Sequence, residues 1–408
     1  MSARRFIGAF LITSLGVCLM HAKQPIEDEI QDVWTDVDRI VAVGSVHGNY
    51  GRFVSILQTA GLIDSDTNWS GGTVHLVQTG NVVHLGPHSR RVIDLLMKLQ
   101  EQARAAGGYV HVLIGNHEAM NLTGDLRYVN PQEYAAFADK HSKALNFRFF
   151  DPEAEAWKQN DAETQVDNPA GQMGQRRYKA FREKWVADYP LGYFEYRYAF
   201  GPDGDTAAAW VTQILASEPS TKKKVFDDLR KTKRYAPWTL KQNVAVQIND
   251  TLFIHGGISP KYASSSLREI NETVRSELID RAKFNKGMAV DPEGPLWYEG
   301  LGKGSASETH VEQLLKQHQV KRIVEGHTHT PGTIMPLFDG KVLAIDAGLR
   351  LGRMAFLVIE GDKSTAVQGS KSVEIPSDSG KLLAYLKESA AMMYRVPPEL
   401  QAAIKELE

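Results

Sequence analysis

The chain of 408 residues holds one cysteine, Cys18. A lone thiol excludes an intrachain disulfide and a zinc site built from thiolates. A charge excess of either sign is also missing. The 47 basic side chains stand against 49 acidic ones, a formal net charge of -2, so the chain offers no electrostatic footprint for nucleic acid. No internal repeat or low-complexity tract is present, which excludes solenoid and propeller arrays. The longest apolar run, Phe6 to Met20, falls short of the about 20 residues that a bilayer span requires.

That run follows Arg4 and Arg5 and leads to His21-Ala22-Lys23, the layout of a secretory signal peptide. Residues 1–22 are therefore expected to be removed, leaving a periplasmic or secreted protein with neither cysteine nor membrane span. An uncleaved signal anchor that tethers the protein to the membrane is the alternative. Leu15-Gly16-Val17-Cys18 has the spacing of a lipoprotein box, but Val17 is too large for its place. With 42% hydrophobic residues, the chain can bury a sizeable core.

Apolar runs rich in Val, Leu and Ile occupy Asp38 to Gly44, Thr73 to Gly80 and Tyr109 to Gly115, and helical patterns separate them at Arg52–Ala60 and Ser89–Ala106. This is a β-α-β-α-β rhythm. Gly61 and Gly107 stand where left-handed helix C-caps belong. Between Pro131 and Tyr235 the pattern turns helical and polar, as in an insert or cap, and the basic Lys222-Lys223-Lys224 reads as a solvated face. Strand patterns resume at Val244–Ile248, turn at Asn249-Asp250 as a hairpin, and continue through Thr251–His255. Ser305-x-x-Glu308 predicts a capping box for a helix reaching Gln317. Further strands are expected at Arg322–Glu325, Lys341–Asp346 and Met354–Glu360. Two short helices flank Pro397-Pro398. The pattern fits one domain over 38–376 with a helical insert at 131–235, followed by C-terminal helices at 377–408.

Five of the apolar runs end in short polar loops: Gly44-Ser45-Val46-His47-Gly48, Gly80-Asn81-Val82-Val83-His84-Leu85-Gly86, Gly115-Asn116-His117-Glu118, His255-Gly256-Gly257 and Gly326-His327-Thr328-His329. One histidine beside a glycine is usually a turn residue. Five such loops at strand ends place imidazoles where side chains from distant segments converge in an α/β sheet. In order and spacing they resemble the motifs of the calcineurin-like metallophosphoesterases, and within that superfamily the Shewanella-like phosphoprotein phosphatases. His75 through Thr79 and Ala119 through Tyr134 extend the likeness, which spans most of residues 38–350. The resemblance implies an α/β fold: a two-sheet α/β/β/α sandwich with a helical insertion.

Carried over position by position, the resemblance assigns a first metal to positions 45, 47, 81 and 329 and a second to 81, 116, 255 and 327. His47, Asn81, Asn116, His255, His327 and His329 are thus the candidate metal residues. His117 matches the family's general acid, which an aspartate at position 84 orients. The family places arginines for phosphate at 85 and 299. This chain carries Ser45, Asn81, His84, Leu85 and Glu299 in place of three aspartates and two arginines. Arg127 remains as the candidate phosphate contact, with an ion pair to Asp125 as its other reading.

Two divalent ions about 3.5–4 Å apart repel by roughly 18 kcal/mol at an effective dielectric of about 20, and bridging oxyanions normally offset that cost. The neutral Asn81 amide does not, so the family's dinuclear Mn, Fe or Zn centre is not expected. A single divalent transition metal, zinc first, suits a neutral imidazole set, and an empty, hydrogen-bonded histidine cluster competes with it. The expected function is a pseudo-phosphatase or binding protein for a phosphoprotein or small phosphoester. The alternatives are a weakly active mononuclear phosphoesterase, or a working tyrosine or serine/threonine phosphatase with carboxylates recruited from Asp125, Glu118 or Asp346.

Overall fold

Alternation along the strands decides the layers. In the strand Arg39–Val43, Val41 and Val43 join one apolar cluster with helices Tyr50–Thr59 and Ser89–Ala105, while Ile40 and Ala42 join another that faces a second sheet. Successive side chains of a strand point to opposite faces, so a run that is apolar at every position must be covered on both sides. In Thr251–Ile254, likewise, Phe253 joins the layer between the sheets, whereas Leu252 and Ile254 pack outward with Ile270, Val274 and Leu314 from the helices beyond. The outcome is helix, sheet, sheet, helix.

The computed structural model describes residues 30–139, 142, 143, 146, 150, 154, 172–201 and 235–408. Residues 32–408 form one compact unit. The expected signal peptide, Lys222-Lys223-Lys224 and much of the insert lie outside the described residues. One sheet runs β1 (Val33–Trp34), β5 (Ala245–Ile248), β6 (Thr251–Ile254), β7 (Arg322–His329), β9 (Val342–Asp346) and β8 (Met335–Leu337). The other runs β12 (Lys371–Glu374), β11 (Lys363–Gln368), β10 (Ala355–Glu360), β2 (Arg39–Val43), β3 (His75–Gln78) and β4 (Tyr109–Val112). β2, β3 and β4 are parallel, as are β6, β7 and β9. Four of the histidine motifs follow the carboxyl ends of these parallel strands and the fifth, Gly326 to His329, forms the carboxyl end of β7 itself, with a shift of register between Glu325 and His329, which brings all five to one edge of the sandwich.

Helices α1 (Tyr50–Thr59) and α2 (Ser89–Ala105) close as their glycines predict: Gly61 has φ +70° and Gly107 φ +83°. The predicted cap at Ser305 is displaced. Ser307 is the N-cap of the helix Glu308–His318, its hydroxyl accepting from the His310 N–H at 3.2 Å, while the Ser305 N–H turns back to the Gly300 carbonyl at 3.0 Å. Among its described residues the insert buries an aromatic face. Its helix Tyr193–Phe200 buries Phe194, Tyr196, Tyr198 and Phe200, and Tyr196 and Phe200 pack with Tyr134, Phe137 and Tyr235 in the core beside α2. Among the described residues, no helix is long and apolar enough to cross a membrane.

Candidate active site

The loops at the sheet edge are stitched to one another by backbone bonds. Val46 and His47 donate to the Asn81 carbonyl at 3.0 and 2.8 Å, Gly48 donates to Val82 at 2.8 Å, and Gly86 donates to His47 at 3.0 Å. To do this, His47, Asn81, His84 and Leu85 adopt φ of +48°, +56°, +69° and +64°, each costing on the order of 1 kcal/mol or more for a residue with a Cβ. Close packing demands the glycines. A Cβ on Gly80 would lie 2.6 Å from His255 Nδ1, and one on Gly115 2.5 Å from Asn81 Oδ1. Glu118, in the first turn of helix α3 (Asn116–Thr123), accepts from the N–H groups of Gly115, Asn81 and Val82 at 2.8 Å and of Val83 at 3.2 Å. One buried carboxylate thereby holds two of the loops.

Ser45, His47, Asn81, His84, Asn116, His117 and His255 are all buried, and the cluster reaches solvent through His329. His47 and His117 stand edge to face with ring centroids 4.8 Å apart; His255 and His327 are 5.0 Å apart. His117 Nδ1 lies 3.0 Å from His84 Nδ1, and His255 Nε2 lies 3.0 Å from Asn116 Oδ1. Burial disfavours the charged imidazole. It pulls His47 and His84 down to about 4 and lowers His117, His255 and His327, with neighbouring imidazoles adding to the effect on His117 and His255. His329 goes the other way, because its bond to Asp346, 2.9 Å long, favours the imidazolium.

The sequence-predicted residues thus meet at one place, except Arg127. Its side chain is 68% exposed and pairs with Asp125 at 2.7 Å, while the next residue, Tyr128, lies with its ring 5.4 Å from that of His117. Glu299 pairs with Lys303 at 2.5 Å and still lies near enough to His327 to oppose the effect of burial on it. Sequence reasoning missed two members. Glu325 accepts from the backbone of His327 and Thr328 and from the Thr328 hydroxyl, and burial pushes it up to about 8. Asn121 is buried against the cluster on α3; its amide, one turn beyond His117, was the available signal.

Tested against a dinuclear metal centre, the donors do not fit. The Ser45 hydroxyl donates to the Gly326 carbonyl at 3.0 Å, and Asn81 Oδ1 accepts the His117 N–H at 3.1 Å, so the two positions that would neutralise a pair of cations serve the loop backbone. Both oxygens of Glu118 are spent on N–H groups, Glu325 Oε1 accepts from His327 and Thr328 while its Oε2 is buried without a partner, and Asp346 is shared between His329 and the Gly348 N–H. Among the described residues, no group of three or more His, Cys, Asp or Glu side chains is placed to hold an ion.

A two-sheet sandwich with histidine and amide loops at the carboxyl edge of its parallel strands defines a calcineurin-like phosphoesterase, and the family model of that description matches residues 38–204. Shewanella-like protein phosphatase 1 of Plasmodium berghei is 35% identical over 325 residues, covering 77% of this chain and 67% of that protein. Shewanella-like protein phosphatase 2 of Arabidopsis thaliana is 24% identical over 359 residues, covering 85% and 81%. The crystal structure of a cold-active protein-tyrosine phosphatase from a psychrophilic Shewanella superposes with a TM-score of 0.57 at 25% identity, over 84% of this chain and 82% of that one. The chain belongs to the Shewanella-like phosphatases of the calcineurin-like superfamily.

Proposed function

We propose that this protein is a pseudo-phosphatase: an exported Shewanella-like phosphatase fold that binds a phosphorylated protein or small phosphoester and turns it over poorly. One observation carries the reading. The groups standing where the family's metal carboxylates belong, Ser45 and, at the bridging position, Asn81, are neutral and already bonded to backbone. Without anionic oxygens in contact with the ions, the repulsion between two divalent cations is left uncompensated, and no water is activated between them. His117, buried and neutral beside other imidazoles, is a poor proton donor to a leaving oxygen; acid catalysis of that kind is worth about a hundred- to ten-thousand-fold.

A second reading, slow hydrolysis at a single transition ion, is favoured by the histidines' outer partners. His47 Nδ1 lies on the Val83 carbonyl, His255 Nδ1 on the Thr79 carbonyl and His329 Nδ1 on Asp346, while His327 Nδ1 is buried without a partner. Such partners orient imidazoles toward metals. Metal analysis of the purified protein, with p-nitrophenyl phosphate turnover, separates the readings. The pseudo-phosphatase reading expects no stoichiometric metal and negligible turnover. One zinc per chain with slow turnover supports the second reading, and two metals with rapid turnover would overturn both. Restoring the family residues together, Ser45→Asp, Asn81→Asp, His84→Asp and Leu85→Arg, is expected to bring in two ions.

A further inference from the structure

Arg322 is the charged exception in an apolar strand. Along β7, Ile323 packs outward and Val324 joins the layer between the sheets, so alternation sends the side chain of Arg322 inward as well, at the strand end opposite the histidine loops. The residue is 8% exposed. Its guanidinium crosses to the other sheet, where Nη1 donates to the Ser364 hydroxyl at 2.5 Å and Nη2 to the Asp362 carbonyl at 3.4 Å. Both acceptors are neutral. The carboxylates nearby are committed elsewhere: Asp250 and Asp362 pair with Lys321 at 3.0 and 2.9 Å, Glu312 with Lys341 at 2.6 Å, and Glu374 with Lys363 at 3.2 Å. Asp339 accepts the Ser379 N–H at 3.0 Å. Among the described residues, none of these acids forms an ion pair with Arg322.

A buried charge is normally paired, because taking it out of water is costly. A guanidinium carries five N–H groups, and the bonds to Ser364 and Asp362 use two. Arg322 also lines a cleft of about 280 Å3 between the two sheets, together with Lys321, Lys341, Lys363, Ser364 and Ser377. Backbone frames this cleft. A Cβ on Gly340, in the turn between β8 and β9, would lie 2.9 Å from the Pro376 carbonyl and 3.0 Å from Ser377 Cα, and the Ile375 N–H donates to the Ser364 carbonyl at 2.9 Å. The cleft thus has fixed walls from both sheets and one buried cation without a counter-charge.

We propose that this cleft is a second ligand site, at the edge of the sandwich opposite the histidine cluster, in which Arg322 binds a small oxyanion through a phosphate or carboxylate group. The planar guanidinium fork suits two parallel bonds to such a group. Ser364, whose oxygen accepts from Arg322, keeps its own proton to donate to the ligand. The volume lies at the lower end of the about 300–1,000 Å3 of ordinary ligand pockets, which fits a free ion or a small acid. Since the anion would tie β7 to β11, its binding stabilises the folded chain by mass action. The site shares no residue with the histidine cluster, so it stands whether or not the protein turns over a phosphoester.

Backbone amide spectra of the full-length protein, titrated with inorganic phosphate and separately with succinate while chloride holds the ionic strength constant, test this directly. The amides of Gly340, Ser364 and Ser377 are expected to move saturably with one of the two anions, with a dissociation constant of about 1 mM or lower. Whichever anion moves them names the group that the site takes. Arg322→Met is expected to abolish the response, and Arg322→Lys, which keeps the charge without the fork, to weaken binding about tenfold. The amides of the His47 and Asn81 loops report separately on any anion held in the histidine cluster. A wild-type protein whose three amides respond saturably to neither anion overturns the proposal without recourse to any variant. So does an unchanged affinity in Arg322→Met folded by the same spectra, or, where that variant does not fold, in Arg322→Lys.

Discussion

Glu118 shows how little a residue's type says about its task. Beside Asn116 and His117 in the sequence it is a natural recruit for a metal, yet both its oxygens are committed to the N–H groups of Gly115, Asn81, Val82 and Val83. Burial raises its pKa, and those four N–H groups oppose the rise. Glu118→Gln keeps the shape but turns an NH2 group toward two of the donors. Each buried donor left unsatisfied costs about 1–3 kcal/mol, so the variant is expected to unfold at lower denaturant with faster amide exchange at Asn81, Val82 and Val83. Stability within about 0.5 kcal/mol of wild type, the range of ordinary surface changes, would show that the loops do not depend on the carboxylate.

At the scale of elements, periodicity was the legible part. Strands buried on both faces read as continuous apolar runs, and the two glycines closing α1 and α2 marked their ends. Pairing across strands was not legible, because register is set by the whole sheet. The register of β3 on β4 sets His75 opposite Tyr109 and Val77 opposite His111, and it brings His111 Nε2 to 3.0 Å from His75 Nδ1 under the Trp34 ring. Nothing at a separation of 36 residues announces that contact. Its consequence is a pH dependence. Burial lowers His75 to about 4 and lowers His111 well below its ordinary value, so between the ordinary imidazole value near 6.5 and about 4 the unfolded chain binds more protons than the folded one. Stability is therefore full above that ordinary value and is lost as pH falls through the window. The buried histidines of the cluster act in the same direction. Buried Glu133 and Glu325, raised to about 7 and about 8, oppose this change, so the histidine contribution is read by comparison: denaturant midpoints measured between pH 7.5 and 4.5 are expected to fall more steeply for the wild-type protein than for His75→Asn. Equal slopes for both proteins would contradict this origin.

For the whole molecule, the five loops told which edge of the sandwich carries the site, since a parallel α/β sheet has one functional edge. They did not tell how the chain's last segment is used. Its helical pattern around Pro397-Pro398 was readable, but amphipathic periodicity identifies an apolar face without naming what covers it. In the structure, helices Leu382–Ala391 and Pro398–Leu407 place Tyr385, Leu386 and Leu400 in the same apolar layer as Val246, Phe253, Leu343 and Leu357 from the sheets. Tyr385 Oη donates to the Ile334 carbonyl at 2.6 Å, and Arg353 pairs with Glu399 at 2.8 Å. Burying each large apolar side chain contributes about 1.5–3 kcal/mol, so three of them approach the about 5–15 kcal/mol that holds a domain folded. Ending the chain after residue 376 is therefore expected to give a protein that aggregates on size-exclusion chromatography and loses cooperative thermal unfolding. Tyr385→Phe, which removes the hydroxyl's bonds to the Ile334 carbonyl and the Thr333 hydroxyl, is expected to stay folded with a loss of about 1 kcal/mol. A shortened chain that melts cooperatively within a few degrees of the intact one would mean that the sandwich is complete without these helices, and that their apolar faces serve some other contact.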